Sequence, residues 1–404
     1  LKRDLFLLFT TRILRLFGYG FLSVILALFL TSNGFTEKQT GLLFTLALGG
    51  DAFITLAITT NADRLGRRRM LILGALLIFS TGILFAATQN FWILAVTAVL
   101  GVISPSGGEI GPFLSIEQSA MAQAVPDDQR TRFFAWYSLA GSLATALGAL
   151  AGGLLPQILQ QRGMPKLDSF RIVLIGYAGI GVALAILFFL VSPKVEAPSA
   201  SKHSSTPLFG LHRSRGVVLR LSGLFALDAF GGGFIVQSLL AYWFHRKFGA
   251  EPALLGGIFF FANLFAGFSA LSASRLARRF GLINTMVFTH IPSNVLLILV
   301  PLMPNLHSAI AVLLVRYCIS QMDVPTRQSY TMAVVHPDER SAAAGITTIA
   351  RSVGAAVSPS ISGQMMAAAA TMSGPFFLAG GLKILYDLAL YYSFRTMKPP
   401  EELF

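Results

Sequence analysis

The nine residues NADRLGRRR at 61–69 separate two apolar runs, and a shorter echo, SRLARR, stands at 274–279 between two more. Arg64, Arg67 and Arg68 correspond to Arg275, Arg278 and Arg279, 211 positions further on. The same offset relates Pro126-Asp127 in VPDDQR to Pro337-Asp338 in HPDER, while FGYGF (17–21) and FGGGF (230–234) lie 213 apart. A basic turn that closes one apolar run and opens the next, met twice in register, implies a chain built from two parallel repeats.

The runs themselves define the solvent. Hydrophobic residues make up 54% of the 404 positions and charged ones only 12%, with mean hydropathy +0.68, far from the composition of a water-soluble domain. Apolar stretches fall near 5–31, 39–60, 70–88, 91–122, 132–160, 170–191, 217–244, 252–273, 282–303, 307–334, 343–369 and 376–394. About 20 apolar residues suffice to cross a bilayer as a helix, and strand-period alternation is absent. The expected fold is therefore an all-α membrane protein of twelve transmembrane helices in two six-helix bundles, 1–191 and 217–404. The Ser-, Pro- and Lys-containing segment 192–216 reads as a cytoplasmic linker between them.

Net charge is +13, which on a soluble basic face would suggest nucleic acid, but here its placement reports topology. With both termini inside, and span-end residues counted with the adjoining loop, 19 Lys/Arg fall on the cytoplasmic side and 6 on the other. The positive-inside rule selects that orientation. No cleavable signal peptide is expected, so the first helix reads as a mature span. The lone Cys318 excludes disulfides and cysteine metal sites. No phosphate-binding G-x-x-x-x-G-K-[ST] loop and no catalytic constellation occurs, which argues against direct ATP drive and against an enzyme.

The turn at 61–69 resembles the signature G-x-x-x-D-R-x-G-R-R of the major facilitator superfamily, with Asp63, Arg64, Gly66, Arg67 and Arg68 matching and Thr59 in place of the first glycine. The partial copy after the eighth run stands where that family carries one, and the resemblance spans essentially the whole chain. It implies alternating access, with this turn holding cytoplasmic helix ends together in the outward-facing state. GSLATALGALAGG (141–153) is similar to the family's antiporter motif, except that Ala149 replaces the proline; small residues there serve close helix packing equally well. The drug:proton antiporters are the subgroup most resembled.

Ionisable residues inside spans are costly and point to function. They are Arg12, Arg15, Asp51, Glu109, Glu117, Asp228, Arg316, Asp323, Arg327, Arg351, Lys383 and Asp387. Arg316, Ser320, Asp323 and Arg327 follow i, i+4, i+7, i+11, one face of a continuous helix, with Pro325 expected to kink it. Arg15, Tyr19, Glu109, Asp228, Arg316 and Asp323 form the expected substrate-binding set; Asp51 and Asp323 are the expected proton carriers. Arg15 and Asp228 are repeat equivalents of opposite sign, which can meet across a cavity or hold the two ends of a zwitterion. Gly231, Gly232 and Gly233 permit either unwinding or close packing. Glu117, Lys383 and Asp387 read as structural, the last two as an i, i+4 pair, and His290 as a packing residue.

These readings converge on a secondary transporter in a bacterial-type inner (plasma) membrane, monomeric, in contact with membrane lipid. It is expected to move a small-molecule substrate by proton-coupled export, with no cofactor, no metal and no nucleic acid. Transport of organic anions, lipid or metal ions, or a transport-inactive receptor on the same scaffold, are the alternatives.

Overall fold

The computed structural model describes residues 2–124, 127–192, 196, 211–336 and 339–397; most of the linker expected at 192–216 lies outside them. In chain order the helices are α1 (Lys2–Ser23), α2 (Leu26–Ser32), α3 (Glu37–Leu65), α4 (Arg67–Ala87), α5 (Phe91–Leu100), α6 (Phe113–Ala124), α7 (Asp127–Gln161) and α8 (Lys166–Leu190). The second half continues with α9 (Arg215–Gly233), α10 (Gln237–Phe248), α11 (Pro252–Phe280), α12 (Leu282–Leu299), α13 (Leu306–Tyr317), α14 (Asp323–Val334), α15 (Arg340–Met366) and α16 (Gly374–Phe394).

Each of the twelve apolar runs is helical, but the first, fourth, seventh and tenth are not single helices. They break at 24–25, 101–112, 234–236 and 318–322, the same place in each group of three spans. In the fourth run the cause is legible: Gly107 and Gly111 adopt positive φ (70° and 81°), and Pro105 and Pro112 bracket them. In the seventh run α9 stops directly after its three glycines. The tenth run was expected to be continuous and is not. Pro325 then falls in the first turn of α14, where its missing N–H costs nothing, so it starts a helix rather than kinking one.

By packing, the chain divides into two compact units: residues 1–204 with 237–260, and 205–236 with 261–404. Sequence halves and packing units therefore differ at 237–260. In the first unit α1 packs on α7, α4 on α8, and α10 on α2. The α1–α7 contact depends on glycine: a Cβ on Gly148 would lie 2.0 Å from the Phe17 carbonyl oxygen, and one on Gly152 2.0 Å from that of Phe21. The small-residue stretch 141–153 thus has a packing role. In the second unit α9 packs on α15 and α12 on α16, and a Cβ on Gly233 would meet the Ala355 carbonyl at 2.4 Å. Gly233 therefore serves both close packing and the end of α9.

Non-helical backbone at membrane depth persists only where protein groups satisfy it. In the first unit the Ser238 N–H donates to the Pro105 carbonyl (2.9 Å), and its hydroxyl lies 2.7 Å from the Ser23 carbonyl and 2.8 Å from that of Pro105. Ser238, near the start of α10, thereby ties the end of α1 to the break of the fourth run. Phe6, Phe53, Trp92, Phe189 and Tyr392 stand exposed, an outer apolar surface that suits lipid rather than water.

Candidate functional site

Two clusters of ionised side chains are buried in the spans, one in each unit. In the first, α1 presents Arg12 and Arg15 to the fourth run. Arg15 is fully buried; its NH1 and NH2 donate to Glu117 at 2.8 and 2.9 Å, and its Nε to Glu109 Oε1 at 2.9 Å. Arg12 NH1 donates to Glu109 Oε2 at 2.8 Å. Glu117 also accepts from the hydroxyls of Thr11 (3.0 Å) and Tyr137. Two cations and two carboxylates balance here, each held by several charge-assisted bonds.

The break at 101–112 is the centre of this cluster. It carries Glu109, Tyr19 donates its hydroxyl proton to the Ile110 carbonyl at 3.2 Å, and the Gly111 N–H donates to Asp51 Oδ1 at 2.6 Å. Asp51 also accepts from Thr55 Oγ1 at 3.3 Å. No lysine or arginine pairs with Asp51 among the described residues, unlike Glu109 and Glu117. Glu109, expected mid-helix, instead lies in irregular backbone, which frees its carboxylate to reach both Arg12 and Arg15 of α1.

In the second unit the hub is Asp228 on α9. Lys383 Nζ approaches its Oδ1 at 2.6 Å, and Arg327 NH1 and Arg351 NH1 its Oδ2 at 3.0 Å each. Arg327 also donates to Asp323 at 3.0 Å. His290 Nδ1 lies 2.9 Å from Asp387 Oδ1, its Nε2 lies 4.0 Å from Asp228, and Asn294 donates to Asp387 at 3.3 Å.

Several expectations are thereby corrected. Arg15 and Asp228 are each satisfied within their own unit. Lys383 and Asp387 do not pair with one another: each reaches across to a different helix, Lys383 to α9 and Asp387 to α12. His290, read as a packing residue, is a member of the network. Arg351, left out of the expected set, is a direct partner of Asp228. The four-residue stripe of the tenth run is interrupted at 318–322, which leaves Asp323 with Arg327 on α14 and Arg316 apart on α13. Asp323 pairs with Arg327 and forms no ion pair with Arg316.

At the turn after the second run, Gly66 has φ 100°, a conformation that requires glycine. The N–H groups of Arg67 and Arg68 donate to Glu196 at 2.6 and 3.3 Å, an anion at the N-terminus of α4. Arg67 is buried, and the Arg68 guanidinium lies over Phe189 and donates to its carbonyl. The side chains of Asp63 and Arg64 lie outside the described part of the structure. Among the described residues no His/Cys/Asp/Glu group suits a metal ion.

Comparison with known proteins agrees with this architecture. The Major Facilitator Superfamily model matches residues 8–359. The membrane protein YJR124C of Saccharomyces cerevisiae, itself uncharacterized, is 30% identical over 96% of this chain and 93% of its own length. The quinolone resistance protein NorA of Staphylococcus aureus is 25% identical over 39% of each chain. Among solved structures, a bacterial homolog of the human lysosomal transporter Spinster, in an inward-facing and occupied conformation, superposes with a TM-score of 0.73 at 17% identity, covering 97% of this chain and 96% of its own.

Proposed function

Because the chain belongs to the Major Facilitator Superfamily, and is thus an integral membrane transporter rather than an enzyme, we propose that it is a proton-coupled exporter of a small solute in which Asp51 carries the proton. The observation that bears most weight is the inequality among the carboxylates inside its spans. Asp228 has three cationic partners and Asp323 has one, so neutralising either breaks an ion pair. Asp51 rests on the Gly111 N–H and the Thr55 hydroxyl alone among the described residues, and taking up a proton strands no buried cation.

A mechanism follows from what Asp51 holds. Ionised, it accepts a strong hydrogen bond from Gly111 and fixes one end of the break that carries Glu109. Protonated, it is a weaker acceptor, the break relaxes, and Glu109 shifts against Arg12 and Arg15 on α1. Proton binding is thus linked to the angle between α5 and α6. Asp323 becomes the weaker of the two expected carriers. Export is favoured by the NorA similarity, and the Lys/Arg placement supports cytoplasmic termini. Arg15, Tyr19, Glu109, Asp228, Arg316 and Asp323 remain the proposed substrate-contacting set, in a monomer.

The test is flux in proteoliposomes loaded with a pH-sensitive dye, using a quinolone and a panel of cationic, anionic and zwitterionic solutes. Solute-dependent proton movement supports the reading. Solute flux that ignores the pH gradient in every case contradicts it.

A further inference from the structure

Ionised groups inside the second unit do not balance. Arg316, Arg327, Arg351 and Lys383 face Asp228, Asp323 and Asp387, one basic side chain more than acidic before His290 is counted, and the surplus can be assigned. Arg327, Arg351 and Lys383 all sit within 3.0 Å of Asp228. Arg316 alone among these cations has no carboxylate in ion-pair reach among the described residues, although it is only 7% exposed. Its Nε has no hydrogen-bond partner, and the guanidinium carbon stands 5.1 Å from the centre of the Tyr317 ring.

A permanently charged, nearly buried guanidinium with an idle donor is expensive at membrane depth unless something anionic visits it. A second group points the same way. Ser320, in the break that follows α13, is 5% exposed and its hydroxyl also lacks a partner. The break is held from outside by Ser269, whose hydroxyl accepts from the Gln321 N–H at 3.2 Å. This leaves Ser320 as an uncommitted donor one turn beyond Arg316. Asp323 is paired with Arg327.

We propose that Arg316 and Ser320 at the break of the tenth run form the subsite for a singly charged oxyanion, a carboxylate or phosphate diester group of the transported solute. This rests on the transport reading above but not on the role of Asp51. One bound monoanion cancels the surplus charge of the second unit. The guanidinium fork supplies parallel donors to two oxygens, and the Ser320 hydroxyl supplies one more. The guanidinium carbon lies over the Tyr317 ring.

The experiment is thermal unfolding of the purified full-length chain, with sodium benzoate, methylphosphonate and neutral benzamide as probes, in nanodiscs of phosphatidylcholine with and without phosphatidylglycerol. Benzoate or methylphosphonate should raise the midpoint of the wild type and benzamide should not. Arg316→Gln should weaken the anion effect on the order of tenfold to a hundredfold, and Ser320→Ala by a smaller factor. Without probe, Arg316→Gln should unfold at or above the wild-type temperature, because an unpaired buried charge has been removed; an arginine that serves packing would lower it. Competition by phosphatidylglycerol assigns the oxyanion to a lipid headgroup, and an undiminished anion effect in both discs assigns it to a free solute. Equal response to benzoate and benzamide, or an unchanged anion effect in Arg316→Gln, overturns the subsite. Asp51→Asn should leave these midpoint shifts intact, which separates failure of this site from failure of the proton assignment.

Discussion

The Arg15–Glu117 pair gives the sharpest energetic prediction. Both side chains are fully buried and joined by two parallel bonds of 2.8 and 2.9 Å. Glu117→Gln keeps the shape and leaves an amide oxygen for Thr11 and Tyr137, but the cluster changes from two cations against two anions to two against one. Stranding part of a buried guanidinium should cost about 3–5 kcal/mol. Replacing Arg15 as well, in Arg15→Met/Glu117→Gln, removes one charge of each sign and leaves Arg12 with Glu109 at 2.8 Å. The double variant should therefore be more stable than Glu117→Gln alone, with a coupling energy of at least about 2 kcal/mol. Reversible unfolding in mixed micelles, titrated with denaturing detergent, reads all four corners of the cycle. A double variant that loses the sum of the two single losses, within about 0.5 kcal/mol, would refute the argument that charge balance, rather than contact number, stabilises this cluster.

Other predictions concern the turns beside Glu339 and Glu196, the second cluster and the expected linker. Three successive N–H groups, of His212, Arg213 and Ser214, donate to Glu339 and hold its carboxyl down at about 2 against an ordinary 4.5; its contribution is complete above pH 4.5 and is lost as pH falls toward 2. Hydrogen exchange at 212–214 should show protection fading across that window in the wild type and absent throughout in Glu339→Gln. Glu196→Gln should raise exchange at the first amides of α4 with little change elsewhere. His290→Ala should lower the unfolding midpoint by the loss of the Asp387 contact, and His290→Gln should recover part of it, since an amide can still donate to that carboxylate; equal midpoints for the two variants would mean the hydrogen bond is not what matters. A cysteine at Ser204 in a Cys318→Ser background, needed because Cys318 is exposed, should react only with reagent applied from the cytoplasmic face.

The helical runs and the repeat were legible because spanning a bilayer demands long apolar stretches, and because a basic turn recurs after the second and eighth. The breaks were legible only in part. SPSGGEIGP and GGG announce theirs through glycine and proline, whereas 318–322 contains neither, so periodicity alone predicted a continuous face for Arg316, Ser320, Asp323 and Arg327. Partner choice was the least legible. Lys383 and Asp387 stand one turn apart and invite pairing, yet each bonds to a residue about a hundred positions or more away, Asp228 and His290. Local spacing records which side chains share a face and says little about which helix that face meets.

The role of Asp51 is tested most directly by measuring pH-gradient-driven flux in proteoliposomes of wild type and Asp51→Asn, with the first solute that the wild type moves. Asp51→Asn should retain solute exchange across the membrane while flux driven by the pH gradient falls to the no-gradient level. Gradient-driven flux in Asp51→Asn equal to wild type, with the same pH dependence, would contradict that role.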